Sequence, residues 1–194
     1  FVGFSQEAEE TAYGTLRPIP EGYEVVPSVY CDGSTYLVTD VYPSKSTRVV
    51  VSFMTQDKSH DKMIYGIRDT GFAFLCWCGN SGGELLSPVY GPNKTTLDGV
   101  GGLTYGHTFV LDMGTNGVYY TDNGGEPITL DSAAKMGSPN GVSTKPLILF
   151  GFQDGGSIST RTYFGNCQWA KLYEGAELVH DYVPMRELTG EKHV

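Results

Sequence analysis

The chain has 194 residues, of which 40% are hydrophobic and 18% are charged, and it carries a formal net charge of -9 with a pI of about 4.8. This size and balance are typical of one folded domain, which buries roughly 70% of the surface of its unfolded chain, and they exclude a disordered protein. The acidic charge disfavours nucleic acid and anionic membranes as partners, and no apolar run is long enough to span a bilayer.

The N-terminal segment differs from the rest of the chain. Residues 1–22 lack the alternation of apolar and polar positions that marks a strand, and they contain several glutamates followed by two prolines. We interpret them as an arm or linker, with at most one short helical turn. Two hypotheses stay open: the segment is a flexible N-terminal extension, or it is an arm that docks on a neighbouring subunit through Phe1, Val2 and Phe4. Residues 23–194 then form the folded domain.

From residue 23 onward, strand signals recur every 8 to 12 residues and are separated by Gly-rich turns. The dipeptides Asn116-Gly117 and Asn123-Gly124 predict tight hairpins, because both residue types tolerate positive φ. One short helix is predicted at residues 130–136. About twelve strands with almost no helix predict an all-β, two-sheet antiparallel jelly-roll sandwich. The clearest predicted strands are residues 36–41, 48–55, 63–67, 72–78, 85–90, 107–113, 118–122, 128–130, 146–152, 159–173 and 178–184.

The stretch "FAFLCWC" at residues 72–78 poses a choice between a metal or redox site and a buried strand. Alternate residues of a strand share a face, so Cys76 and Cys78 point one way and Trp77 points the other. Both faces are apolar, which predicts a central strand covered on both sides. The C-x-C spacing is not the usual C-x-x-C of zinc and redox sites. We therefore interpret the thiols as core side chains, and pairing of one of them with Cys31 or Cys167 stays open.

The acidic residues do not form the pattern of a glycoside hydrolase, which needs two carboxylates roughly 5–9 Å apart. Between residues 27 and 171 the only glutamates are Glu84 and Glu126, and both lie beside Gly-rich turns. Asp112 is a lone strand aspartate, for which a cross-strand partner is expected. Residues 79–83, "GNSGG", match the G-x-S-x-G spacing, but we interpret them as a Gly-rich loop between two strands, without the helix that must follow the serine in the nucleophile motif. The sequence therefore predicts a protein that is not an enzyme.

The acidic turn "TDNGGEP" at residues 121–127 is a weak candidate for a calcium site. Asp122, Asn123 and Glu126 could supply oxygen ligands to Ca²⁺. A hairpin turn with polar side chains explains the same residues. We predict no metal and no cofactor, with Ca²⁺ as the one alternative.

Two stretches together resemble a known family. They are "IPEGYEVVPSVYCDGSTYLVTDVYPSKSTRVVVSF" at residues 19–53 and "PLILFGFQDGGSISTRTYFGNCQWAKLYEGAELVHDYVPMR" at residues 146–186. They resemble the concanavalin A-like (laminin G-like) jelly-roll domains of bacterial surface proteins and bacteriophage structural proteins. The resemblance covers residues 19–186. Two departures are the arm in front and the lack of a further closing segment that the family often has.

The resemblance implies a non-catalytic carbohydrate-binding or adhesion module that is extracellular, on a bacterial cell surface or a phage virion. Its partner would be a glycan or cell-surface polysaccharide. The alternative is a phage virion structural protein, a capsid decoration or tail protein, that binds other virion or surface proteins through its arm. A glycoside hydrolase is less favoured. Neither nucleic acid nor membrane insertion is expected.

A sugar site combines an exposed aromatic plane with a few polar side chains that bond to hydroxyl groups. The ligand-binding candidates on this basis are Trp77, Tyr90, Arg68, Asn80 and Asp154. Trp77 is also expected to serve as a core residue, because its strand is apolar on both faces.

Overall fold

The computed structural model describes residues 2–6, 19–55, 62–69, 72–78, 86–91, 104–132, 141–159 and 162–188. Every regular element within these ranges is a β-strand, and they hold no helix long and apolar enough to cross a membrane. The strands are β1 (Val2–Gln6), β2 (Tyr23–Val25), β3 (Val29–Asp32), β4 (Leu37–Val38), β5 (Thr47–Thr55), β6 (Lys62–Asp69), β7 (Phe72–Cys78), β8 (Leu86–Gly91), β9 (Phe109–Gly114), β10 (Gly117–Asp122), β11 (Ile128–Ser132), β12 (Ile148–Leu149), β13 (Gln153–Asp154), β14 (Ser157–Ile158), β15 (Phe164–Glu174) and β16 (Glu177–Glu187).

The strands form two sheets. The nine-stranded first sheet runs in the order β1-β16-β15-β5-β9-β10-β11, with β2 beside β16 and β3 beside β15. The seven-stranded second sheet runs β14-β13-β6-β12-β4 on one side of β6, and β7 and then β8 on the other. The pairs are antiparallel, except that β13 runs parallel to β6. The pairing of β16 with β2 confirms that the last strand lies beside the first strand of the predicted domain.

The two sheets enclose one hydrophobic core. On β5, Val49, Val51 and Phe53 are buried, and the residues between them face outward, as period-two alternation requires. They share one cluster with inward residues of the second sheet, among them Tyr65 and Phe74. This arrangement confirms the predicted all-β sandwich.

The "FAFLCWC" segment is a central strand, as predicted. It forms β7, which lies between β6 and β8 and is buried on both faces except at the half-buried Trp77. Cys76 and Cys78 face the main core, and Trp77 packs on a second, smaller cluster on the outer face. The suggested pairing of Cys76 or Cys78 with a distant cysteine is not what the structure shows, because Cys31 and Cys167 lie against each other, with 3.0 Å between their Sγ atoms.

Part of the predicted arm is a strand. Residues 2–6 pair with β16, in register from Val2 opposite Arg186 to Gln6 opposite Tyr182. An edge strand is held by backbone hydrogen bonds, so it needs no alternating pattern in its sequence. Phe1 and residues 7–18 lie outside the described residues, and the division of the chain at residue 22 stays a prediction.

Two predicted elements need correction. Residues 130–132 belong to β11 and not to a helix, because β11 pairs with β10, and residues 133–140 lie outside the described part. The predicted strand at residues 146–152 is reduced to β12, because Phe150 has a positive φ of 58° and leaves the extended conformation. This turn of the backbone carries Phe152 to the outer face of the second sheet.

The two Asn-Gly dipeptides behave differently. Asn123 and Gly124 both have positive φ, at 47° and 70°, and the Gly125 N–H donates to the Asp122 carbonyl. This is the expected type I′ turn. The β9–β10 hairpin is shifted by one residue: Thr115 and Asn116 form its loop, and of the dipeptide only Gly117 has positive φ.

Candidate functional site

Two of the ligand-binding residues that the sequence suggested lie together. Arg68 on β6 is in register with Asp154 on the parallel strand β13, and their Nη1 and Oδ2 atoms are 3.3 Å apart. The Arg68 guanidinium also lies 5.2 Å from the ring centroid of Phe152. Asp154 is exposed and Arg68 is half-buried on the second sheet.

The remaining suggested residues do not join this pair. Trp77 is opposite Met63, five residues from Arg68 on the same strand, a separation of roughly 15 Å. Tyr90 is fully buried in the core, where its hydroxyl donates to the Lys45 carbonyl at 3.1 Å, so it offers no ring face to a ligand. Burial, and next the charge of Glu174, raise the pKa of Tyr90 to about 12. Asn80 lies outside the described residues.

The oxygens of the acidic turn are bonded within the protein. The Asp122 carboxylate lies 2.7 Å from Nδ1 of His107, and the Asn123 side-chain oxygen accepts from the Thr108 N–H at 2.9 Å. Glu126 is exposed. Within the described part of the chain, no group of three or more His, Cys, Asp or Glu side chains is placed to hold a metal ion.

A cleft of about 700 Å³ lies at one end of the outer face of the first sheet. Three turns border it: the turn before β5, the loop between β9 and β10, and the turn between β15 and β16. Its floor and wall carry Arg48, Asp112 and Tyr119. The turn residues at its rim are Lys45, Ser46, Thr115, Asn116, Gly175 and Ala176.

Strand alternation directs the charged side chains into this cleft. Leu111 and Met113 on β9 are buried in the core, so Asp112 between them faces outward. Arg48 faces outward on β5 for the same reason, since its neighbours Thr47 and Val49 are buried.

Arg48 and Asp112 form a two-pronged ion pair. Nε lies 2.7 Å from Oδ1, and Nη2 lies 2.6 Å from Oδ2. The hydrogen bonds that Arg48 donates to the Asp112 carboxylate raise the pKa of Arg48. The guanidinium also lies 5.0 Å from the Tyr173 ring centroid. Both charged side chains keep contact with solvent, with 43% and 29% of their surfaces exposed, so they are available to a ligand.

Gly114 makes room for this pair. A Cβ atom at Gly114 would lie 3.0 Å from both Cβ and Cγ of Arg48. Because glycine has none, the Arg48 side chain can lie across β9 and reach Asp112.

A carboxylate beneath the rim holds two of the turns together. Glu174 accepts hydrogen bonds from the hydroxyls of Ser44, at 3.1 Å, of Ser46, at 2.8 Å, and of Thr47. The Gly175 N–H donates to the Ser46 carbonyl at 2.9 Å. These bonds fix the turn before β5 against the turn between β15 and β16, so the rim is formed in advance of any ligand.

Glu174 and Asp112 cannot act as a hydrolytic pair. Glu174 is in register with Thr47, and Asp112 is in register with Val50 on the same strand β5. Three residues along β5 and two strand spacings across it separate their Cα atoms by roughly 14 Å. They also lie on opposite faces, since Thr47 is on the core side. A glycoside hydrolase needs its carboxyl groups within about 9.5 Å.

Sequence analysis predicted the pairing of one residue of this cleft but did not predict the cleft. Asp112 was expected to have a cross-strand partner, and the structure confirms this. No sequence motif marks Arg48 or Tyr119 as a binding residue, because each occupies an ordinary outward position on a strand. The cleft arises from the meeting of three turns near residues 45, 115 and 175, which only the strand order brings together.

No family model matches this chain, and no curated protein matches it. A search of solved structures finds a likeness to domains LG4-5 of the mouse laminin alpha1 chain, with a TM-score of 0.51 and 13% sequence identity. The match covers 82% of this chain and 46% of that structure, so this chain spans about half the length of that two-domain structure. At this identity the likeness shows the fold alone: a laminin G-like jelly-roll sandwich.

Proposed function

We propose that this protein is a non-catalytic carbohydrate-binding or adhesion module. The observation that carries the proposal is the cleft on the first sheet, where Arg48, Asp112 and Tyr119 converge beneath a rim fixed by Glu174. Its volume lies within the range of about 300–1,000 Å³ that small-molecule sites occupy.

The side chains of the cleft suit a sugar. The exposed edges of the Arg48–Asp112 pair supply donors and acceptors for hydroxyl groups, and the Tyr119 ring supplies an apolar surface with a polar tip. The Tyr119 hydroxyl donates to the Asn116 carbonyl at 2.7 Å, which holds the ring against the β9–β10 loop. Because Arg48 is neutralised by Asp112 and the whole chain has a net charge of -9, a neutral sugar is favoured over an anionic one.

The outer face of β15 extends the cleft into a track. Trp169, Lys171 and Tyr173 alternate with the buried Ala170 and Leu172, so all three face outward. The Lys171 ammonium lies 5.9 Å from the Trp169 ring centroid. Tyr173 and Trp169 are roughly 13 Å apart along the strand, which would seat successive residues of a polysaccharide.

We also propose an extracellular location for this protein. The resemblance of residues 19–186 to surface and phage domains supports an extracellular module on a bacterial surface or a phage particle. The acidic charge supports a glycan and not a nucleic acid as partner.

The test is a glycan array that includes bacterial surface polysaccharides, probed with the parent chain and two variants. Asp112→Ala removes the acidic member of the cleft pair, and Asp154→Ala is its matched control on the second sheet. We expect binding that Asp112→Ala abolishes and Asp154→Ala retains. Loss only in Asp154→Ala would move the site to Arg68 and Asp154, and binding that needs added Ca²⁺ would move it to Asp122, Asn123 and Glu126. The absence of binding at millimolar sugar would refute the carbohydrate function.

The second candidate, a virion capsid decoration or tail protein, is favoured by β1. Among the described strands, β1 pairs only with β16 at the edge of the sheet, and edge pairing of this kind is the way an extended arm joins two proteins. Deletion of residues 1–18 should then abolish incorporation into the particle and leave the fold intact. Normal incorporation of the deletion variant would exclude the arm as the means of assembly.

A further inference from the structure

Two thiols from distant parts of the sequence meet in the core. Cys31 on β3 and Cys167 on β15 are both fully buried, and their sulfur atoms are 3.0 Å apart. The two residues are 136 positions apart in the sequence. Both side chains point into the sandwich, where they belong to the main hydrophobic cluster.

The strand register explains how the two sulfurs meet. Cys31 is directly opposite Gly165, and Cys167 is opposite Val29, so the cysteines are diagonal neighbours on adjacent antiparallel strands. The Cys31 side chain leans along β15 to Cys167, two residues beyond its direct partner.

We propose that Cys31 and Cys167 form a disulfide bond in the mature protein. A disulfide has an S–S length of about 2.05 Å, so the two sulfur atoms would have to approach by roughly 1 Å to bond. Cys76 and Cys78 lie two residues apart on one strand face, and an extended strand holds two such residues too far apart to bridge easily.

The bond has to form during folding. Burial, and next the hydrogen bond with Cys31, raise the pKa of Cys167, so the folded protein holds little of the reactive thiolate. In the unfolded chain one thiolate can attack a small-molecule disulfide such as oxidised glutathione and release one reduced glutathione. The second cysteine thiolate then attacks the mixed disulfide and releases the other. Two protein thiols are oxidised, and one glutathione disulfide is reduced to two thiols.

The bond would join the strand β3, near the start of the sandwich, to β15, near its end. A bridge across so long a loop restricts the unfolded chain strongly. It also requires an oxidising compartment, which the proposed extracellular location would supply. The inference does not depend on whether the cleft binds a sugar.

The test is a count of free thiols after the full chain is refolded in a glutathione redox buffer. Four cysteines are present, so a thiol-reactive dye in denaturant should titrate two in the refolded protein and four after reduction. Peptide mapping under non-reducing conditions should link Cys31 to Cys167. Four free thiols, or a bridge that involves Cys78, would overturn the proposal.

Two variants separate the bridge from a general effect of losing a core thiol. Cys31→Ala should leave three free thiols and a urea midpoint that no longer responds to reductant. Cys76→Ala removes a thiol that is also buried and should leave one free thiol with the reductant response intact. Equal responses to reductant in the two variants would also count against the bridge.

Discussion

The positions of Arg48 and Phe152 each depend on a neighbouring glycine, which has no side chain to obstruct them. Gly114 lies beneath Arg48, and Gly66 lies beneath Phe152. In each case an added Cβ atom would meet the side chain that crosses above it. Such contacts give glycine a role in placing charge and aromatic surface, besides its usual role in turns.

We expect Gly114→Ala to weaken binding of whichever glycan the array identifies by about tenfold, the loss of roughly one charge-assisted hydrogen bond. The new Cβ would lie 3.0 Å from Arg48 and displace it from Asp112. Isothermal titration calorimetry measures the change. Gly156→Ala, with open space around its Cβ position, is the matched control and should bind as the parent does.

Glu174 is expected to stabilise the rim of the cleft. Glu174→Ala removes the acceptor of three hydroxyl groups, and the Thr47 hydroxyl is buried. An unsatisfied buried hydroxyl costs about 1–3 kcal/mol of unfolding free energy. Urea denaturation should show this loss, whereas Glu177→Ala, exposed in the same hairpin, should change stability by less than about 0.5 kcal/mol. Equal effects of the two changes would show that Glu174 has no structural role at the rim.

At the scale of strands, the second sheet is shaped by the point where β12 ends. Phe150 turns the chain, β13 then runs parallel to β6, and Phe152 covers Gly66 on the outer face. The Arg68–Asp154 pair is a product of this turn. The outer cluster therefore depends on close contact between β6 and Phe152.

Gly66→Ala should destabilise the second sheet. Its Cβ would lie 2.8 Å from the Phe152 ring and 2.9 Å from Cβ of Leu75, and such overpacking costs about 1–3 kcal/mol. Thermal unfolding followed by circular dichroism measures the loss. A smaller residue at position 152 relieves one of the two clashes, so Phe152→Leu should cost less in the Gly66→Ala background than in the parent. Additive effects would contradict this packing.

The strand β1 covers the edge of the first sheet at β16. Deletion of residues 1–6 removes it and leaves β2–β16, which contain the whole core cluster. We expect cooperative unfolding to persist, while the uncovered edge of β16 promotes association between molecules. Light scattering during size-exclusion chromatography measures the association. A deletion variant that stays monomeric at concentrations where the parent is monomeric would contradict the role of β1 as a cover.

At the scale of the whole molecule, stability should fall at alkaline pH because of its half-buried and buried tyrosines. Burial, followed by nearby carboxylates, raises the pKa of Tyr90 and of Tyr182 to about 12. In the unfolded chain both ionise near pH 10. Their contribution is therefore complete below pH 10 and is lost as the pH rises from 10 to 12, by up to about 1.4 kcal/mol per pH unit for each tyrosine.

Urea denaturation at pH 9, 10, 11 and 12 tests this expectation. Tyr90→Phe should make the fall in unfolding free energy between pH 10 and 12 less steep, because one fewer proton then differs between the folded and unfolded states; Tyr65, Cys76 and Cys167, whose pKa values burial also raises, still contribute to the remaining slope. Tyr42→Phe, which changes an exposed tyrosine, should keep the slope of the parent. A parent protein with constant stability over this range would contradict the two raised pKa values.

Period-two alternation is a local property, so the amino-acid sequence alone predicts the orientations of Cys76 and Trp77 correctly, and the position of Asp112 on a strand correctly predicts a cross-strand partner. The burial of Tyr90 could not be predicted in the same way, because it depends on the pairing of β8 with β7, which the structure shows. The cleft could not be predicted in this way. Its turns lie near residues 45, 115 and 175, far apart in sequence, and only the order β15-β5-β9 brings them to one rim. The strand β1 was missed because backbone pairing leaves little trace in composition.

The pairing of Val2 with Arg186 has a mechanical consequence. A tensile load that enters the chain at residue 2 and leaves at residue 187 acts at adjacent ends of β1 and β16. It would open their hydrogen bonds one after another, like a zipper, and not shear them all at once. Strands pulled apart in this way separate at low force. We therefore expect β1 to detach first, which lengthens the chain between the two loaded ends while the sandwich stays folded. In the proposed adhesion module, the release of β1 would let the chain lengthen under flow before the sandwich unfolds.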